Sequence, residues 1–137
     1  MAMHTMVLLA AEPERVMTTH ELATGLKVSE AHLSKVLQRL AREGLVKSVR
    51  GPRGGFKLDP ALQNPTLLRV FEAIEGRLEP SSCLLAIPSC NGARCIFGAL
   101  LDQVNREVRD YLGETKLSQL TYGLGRKSDV EPADHSH

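Results

Sequence analysis

The chain has 137 residues, 42% of them apolar and 24% charged, and a formal net charge of +1. This is one domain's worth of ordinary globular composition, which excludes a collagen-like, low-complexity or mostly disordered chain. No run approaches the about 18 uncharged apolar residues of a membrane span, and the apolar start lacks the basic lead and cleavage site of a secretory signal, so the expected location is cytoplasmic, away from membranes.

Residues 2–11 read as a short buried helix that Glu12-Pro13-Glu14 breaks. Thr18-Thr19-His20-Glu21 fits a capping box, with the Thr18 hydroxyl on the Glu21 amide and the Glu21 carboxylate reaching back. Leu22, Ala23 and Leu26 give this second helix its apolar side, and Gly25-Leu26-Lys27 reads as a turn with Gly25 free to take a positive φ. Ser29 caps a third helix, and Glu30 in its first turn suits the helix dipole. Leu33, Val36, Leu37 and Leu40 recur at helical spacing and face the core. His32, Ser34, Lys35, Gln38, Arg39 and Arg42 then point elsewhere, and Gly44 ends the helix. Two short helices on a tight turn, the second with a polar basic face, form a helix-turn-helix whose second helix enters a major groove N-terminal end first. An αα-hairpin used only for packing gives the same pattern.

Residues 45–50 alternate like a strand, Gly51-Pro52-Arg53-Gly54-Gly55 makes a turn, and Phe56-Lys57-Leu58 returns. A hairpin directly after such a helix is a wing. Its glycines let the backbone approach DNA closely, and Arg50 and Arg53 at its tip can enter a narrow minor groove. The charge agrees. Residues 27–57 carry eight bases against two acids, Glu30 and Glu43, for a net +6, while the first 26 residues carry −2 and the rest −3. The near-zero total therefore conceals a basic patch suited to phosphate.

Thr66 caps a further helix with Leu67, Val70, Phe71 and Ile74 as its stripe, ended by Glu75-Gly76. Residues 77–92, with Pro80, Pro88 and Gly92, read as an irregular loop holding Cys83 and Cys90. From Ala93 to Leu112 a longer helix is expected, with Ile96, Phe97, Leu100, Leu101, Val104, Val108, Tyr111 and Leu112 as an apolar stripe. Pairing with the same helix of a second chain buries such a stripe, and docking on the winged helix is the alternative. Leu117 and Leu120 suit one last turn, and residues 123–137 read as a disordered tail. The expected fold is mainly α with a small β-hairpin. A winged helix-turn-helix over 1–76 is followed by the cysteine loop (77–92), a dimerisation helix region (93–122) and the tail.

These residues resemble one family. Glu21-Leu22-Ala23, Val28-Ser29, Leu33-Ser34-Lys35-Val36-Leu37, the run from Gly44 through Val49-Arg50-Gly51-Pro52-Arg53-Gly54-Gly55-Phe56, Ala73-Ile74-Glu75-Gly76 and three cysteines are similar to the bacterial winged-helix regulators typified by IscR, NsrR and CymR. The resemblance covers roughly residues 2–122. It implies a homodimeric repressor or activator on a palindromic operator in double-stranded DNA, and in many members an iron–sulfur cluster on three cysteines. DNA-contacting positions fall on Ser29, Ala31, His32, Ser34 and Lys35 in the helix and on Arg50 and Gly51 in the wing, with Arg39 and Arg53 as further phosphate or groove contacts. Cluster ligands, for a 2Fe–2S or 4Fe–4S group, fall on Cys83, Cys90 and Cys95.

Cys-x6-Cys-x4-Cys matches neither ferredoxin runs nor the close pairs common in zinc sites. Zinc or inert buried thiols are the other readings. The fourth ligand is open: Ile96, Phe97 and Gly98 follow the last cysteine where IscR-like members carry a His, and the acidic position of NsrR-like members lies before Met1. His4 is the nearest candidate in the chain. An iron site left partly open to small molecules suits a sensor of nitric oxide, redox state or iron–sulfur supply. Two rivals stand beside this: a cluster-free winged-helix regulator controlled by a partner protein or metabolite, and a zinc- or thiol-based protein-interaction module. No enzyme is expected, because no nucleophile–base pair or paired carboxylates stand out, and Gly51–Gly55 lacks the Lys-Ser/Thr of a phosphate loop.

Overall fold

A computed structural model describes residues 1–80, Cys83 and residues 95–121. The helices α1 (Ala2–Ala11), α2 (Thr19–Leu26) and α3 (Glu30–Arg42) come first, then strands β1 (Val46–Val49) and β2 (Gly55–Leu58), then α4 (Leu67–Glu75) and α5 (Leu100–Glu114). A short 3-10 turn, Leu117–Gln119, follows α5.

The core is built where the periodic leucines require it. Leu33, Leu37 and Leu40 on the inner face of α3 are fully buried, with Leu22 of α2, Met6 and Leu9 of α1, and Val70 of α4. Truncating any such leucine to alanine costs about 2–5 kcal/mol in cores of this kind. Leu45 joins them: its N–H donates to the Leu40 carbonyl at 2.9 Å, so the end of α3 runs straight into the hairpin. Leu117 closes the other side, fully buried against α1, which explains why the turn after α5 holds its place.

The hairpin is antiparallel, with Val46 opposite Leu58, Lys47 opposite Lys57, Ser48 opposite Phe56 and Val49 opposite Gly55. A third segment joins it. Met17 bridges Phe56, N–H to carbonyl in both directions at 2.8 Å. The wing is thereby tied to the residue that precedes the cap of α2.

Two boundaries differ from the expectation. The positive φ in the helix-turn-helix turn belongs to Lys27 (φ 56°), not to Gly25, because α2 runs two residues further and Lys27 is the residue whose N–H closes the last turn onto the Ala23 and Thr24 carbonyls. The last helix starts at Leu100 and not at Ala93. Gly98 takes φ +53° in a turn closed by its N–H to the Cys95 carbonyl, and the helix begins only beyond it. The rest of the cysteine loop and the tail from residue 122 lie outside the described residues. Among the described residues, no helix is long and apolar enough to cross a membrane.

Candidate nucleic-acid interface and cysteine segment

Both helices of the helix-turn-helix are capped as their sequences dictate. Thr18 Oγ1 accepts from the Glu21 amide at 3.1 Å, and the Glu21 carboxylate accepts from the Thr18 amide at 3.0 Å. Ser29 Oγ accepts from the His32 amide at 3.5 Å. The turn between them is tightened by the Val28 N–H on the Ala23 carbonyl at 3.0 Å.

With the leucine face of α3 turned inward, its head is left to solvent. Ser29, Ala31, His32 and Lys35 are exposed and Ser34 is half-buried. Arg50, Gly51 and Arg53 are exposed at the wing tip. The structure therefore gathers the expected DNA-contacting positions into two groups, one at the head of α3 and one on the wing. Arg39 has a second occupation. Its Nε donates to the Ala73 carbonyl at 3.1 Å, so its guanidinium is drawn toward the last turn of α4. Arg69 of α4 answers from the other side, with Nη2 on the Glu43 carbonyl at 2.8 Å. Two arginines thus lock α3 to α4 through backbone acceptors.

Those locks, and an ion pair between His20 and Glu30, carry no local sequence signature. They join residues 34, 26 and 10 positions apart, and their partners are main-chain carbonyls in two of the three cases. The Met17–Phe56 bridge had one faint signal, the apolar pair Val16-Met17 just before a cap.

The three cysteines are less fully placed. Cys83 is half-buried and Cys95 is exposed, while Cys90 lies outside the described residues. His4 is exposed near the start of α1. Among the described residues no three His, Cys, Asp or Glu side chains stand together as a metal site. The chain leading into the segment is anchored: the Leu78 N–H donates to the Glu72 carboxylate at 3.2 Å, and Arg109 of α5 donates to the Leu78 carbonyl. Residues 72–78 therefore connect α4, the start of the cysteine segment and α5.

α5 packs on α4 but, among the described residues, none of its own is fully buried. Leu101 and Leu112 are half-covered. Phe97, Leu100, Val104, Val108 and Tyr111 stay 40–58% exposed, and Ile96 is 93% exposed. Along α5 the spacing of Leu100, Val104, Val108 and Tyr111 by three and four residues makes one continuous apolar stripe, with Ile96 and Phe97 in the turn before it.

The family model described as Rrf2, iron-dependent transcriptional regulator, matches residues 1–123. The chain belongs to the Rrf2 family of transcriptional regulators. Its members are regulators and not enzymes. A putative helix-turn-helix transcriptional regulator of Lactococcus lactis, YffB, is 34% identical, covering 90% of this chain and 88% of that one. Among solved structures, CymR, the global cysteine regulator of Bacillus subtilis, superposes with a TM-score of 0.70 at 24% identity, over 88% of this chain and 91% of that chain. IscR of T. potens superposes with a TM-score of 0.65 at 21% identity, over 97% and 85%. The helices and the two-stranded antiparallel sheet are thus those of the CymR and IscR winged helix. An Rrf2-type transcriptional regulator acts on DNA, and in this chain the head of α3 and the tip of the wing are exposed.

Proposed function

We propose that this chain is a homodimeric regulator that reads a palindromic operator with Ser29, Ala31, His32, Ser34 and Lys35 of α3 and with Arg50, Gly51 and Arg53 of the wing. The observation that carries the reading is the pairing of a buried leucine face with an exposed polar head on the same 13-residue helix, followed at once by an exposed arginine-bearing hairpin. His32, Ser34 and Lys35 are positioned for base edges, and the arginines for phosphate and groove. Arg39 serves two purposes, holding α3 to α4 and bringing positive charge near the backbone.

Arg50→Ala removes one phosphate or minor-groove cation per protomer. Binding to a selected operator duplex is expected to weaken about 5- to 50-fold, and the dependence of log affinity on log salt to become shallower by about two for the dimer. The measurement is a salt titration by fluorescence anisotropy. An unchanged affinity and slope takes the wing off the DNA.

The three thiols suit an iron–sulfur cluster in kind, since thiolates are its usual ligands and neither Cys83 nor Cys95 is enclosed in the leucine core. Such a cluster, when bound, supplies a centre that responds to nitric oxide, redox state or iron–sulfur supply. The chain's own residues supply the route to DNA. Glu72 and Arg109 hold the backbone at Leu78, six residues along the chain from Glu72, and Arg39 holds the recognition helix to the same end of α4. A change in the cysteine segment that moves Leu78 is passed to α4 and so to the spacing of the two recognition helices. Protein purified without oxygen is expected to contain iron and acid-labile sulfide and to absorb in the visible, with the absorbance lost in a Cys83→Ala/Cys90→Ala/Cys95→Ala variant. Colourless, iron-free protein that still binds its operator shows a cluster-free regulator, controlled by a partner or metabolite.

A further inference from the structure

Within the basic segment 27–57 there are only two acids, Glu30 and Glu43. Glu43 caps the trailing end of α3. Glu30 is the first residue of α3, at the end that leads into the groove on the reading above. A carboxylate there has two opposed effects. Inside the protein it suits the positive end of the helix dipole. Against a duplex it sets a negative charge beside phosphates, where every other charge on the segment's leading end is positive or neutral.

The structure places His20, the second residue of α2, directly on this carboxylate, with Nδ1 against Oε1. The two side chains are 75% and 56% exposed, so solvent reaches both and an approaching phosphate does too. An exposed pair of this kind contributes little to folding, which directs attention to what it does for the surface. We infer that His20 is a positioning residue for DNA binding: its imidazolium neutralises Glu30 and holds the carboxylate to the protein, so that docking on a duplex takes up a proton.

This rests on α3 being the DNA-facing helix. The sign follows from charge alone. With His20 protonated the pair is neutral; with His20 neutral the pair is −1 and repels the backbone. Affinity is therefore higher where His20 carries its proton and falls as pH rises and that proton is lost. The surrounding ionisable groups do not replace His20. Its neighbour Glu21 is engaged by the Thr18 amide. On α1, which packs on α2, stand His4 and, just past the end, Glu12, which pairs with Arg15 at 3.3 Å. On α3 stand His32, Lys35, Arg39 and Arg42. Of all these only His4 and His32 are, like His20, imidazoles.

The test uses the full chain and a fluorescein-labelled random-sequence duplex of about 40 base pairs, at constant low salt of about 50 mM, because the effect is electrostatic and needs no operator. Wild-type binding is expected to weaken about fivefold between about pH 6 and about pH 7.5. In a His32→Gln background, His20→Gln abolishes the response and stays at the weak level. Glu30→Gln raises affinity at about pH 7.5, since no carboxylate is left to cover, and keeps a response, since His20 still gains a charge on protonation. His32→Gln lowers affinity but keeps the response, and His4→Gln leaves both unchanged. A response that survives in the His20→Gln/His32→Gln variant, or a Glu30→Gln variant that binds more weakly than wild type at about pH 7.5, overturns the inference. Lys35→Ala separates the two levels. Unchanged binding in that variant takes α3 itself off DNA, whereas weakened binding together with a surviving response in His20→Gln/His32→Gln removes His20 alone.

Discussion

Gly55→Ala is expected to destabilise the protein by about 2–4 kcal/mol and to weaken duplex binding at least about tenfold in the fraction that stays folded. A Cβ at position 55 lies 2.4 Å from the Met17 carbonyl oxygen and 3.0 Å from the Thr18 nitrogen. Both are backbone atoms, which cannot rotate aside as a side chain can. Relief requires Met17 to move away from the wing, and that breaks the paired hydrogen bonds at 2.8 Å between Met17 and Phe56. Thr18 follows Met17 and caps α2, so the displacement reaches the helix-turn-helix at once. Gly51→Ala is the comparison. It also sits at a φ that favours glycine (+109°), but a Cβ there meets nothing within 4 Å. Its cost is that of backbone conformation alone, about 1–2 kcal/mol. Urea unfolding of the two variants separates the causes. Equal losses make turn conformation the whole explanation and remove the close approach of Met17 from it.

Residues whose partners lie within a few positions are legible in the sequence, and residues that meet distant partners are not. The glycines of Gly51-Pro52-Arg53-Gly54-Gly55 mark a turn in any reading, and their use was expected to lie in close approach to DNA. In the structure at least two of them serve the protein's own packing: a Cβ at Gly54 lies 2.4 Å from the Val49 carbonyl, as one at Gly55 does from Met17. Glycine tells that something comes near, not what. Capping residues are different, because Thr18, Ser29 and Thr66 act on amides three residues away, and each accepts the bond expected of it. The leucines of α3 are likewise local in their logic, since 3.6-residue periodicity alone assigns their face. What escaped were contacts between distant parts of the chain. Arg39 looks like any surface cation until Ala73 is seen to offer it a carbonyl, and His20 looks like part of a capping box until α3 brings Glu30 to it. The cysteine segment has neither periodicity nor caps, and the family resemblance, not residue spacing, gives Cys83, Cys90 and Cys95 their reading.

The relation between α3 and α4 bears on how a signal crosses the molecule. Were α3 held only by its leucines, α4 could shift a little without consequence, because apolar contacts are non-directional. Arg39 on the Ala73 carbonyl and Arg69 on the Glu43 carbonyl are directional. They link both ends of the contact, so rotation of α4 carries the recognition helix with it. In the proposed dimer that rotation matters, because two helices must fit two half-sites at a fixed spacing.

For that reason the larger of the two effects belongs to α5. The double variant Val104→Glu/Val108→Glu is expected to be monomeric at micromolar concentration and to bind an operator about 100-fold more weakly, as each winged helix then engages its half-site without the other's help. Val104 and Val108 are one turn apart in the middle of the exposed stripe that runs from Leu100 to Tyr111, each 44% exposed. In a two-fold pairing the same stripe meets itself, so the substitutions place four carboxylates in one apolar seam, where unpaired charges are costly. In the separated chain those positions face water, and surface substitutions of this sort change folding stability by no more than about 0.5 kcal/mol. Sedimentation velocity, operator binding and urea unfolding therefore move independently. Loss of the dimer and of operator affinity with an unaltered unfolding midpoint assigns the stripe to a second copy of the chain. A variant that unfolds instead assigns it to packing within one chain, and one that remains dimeric and binds as before moves the interface elsewhere.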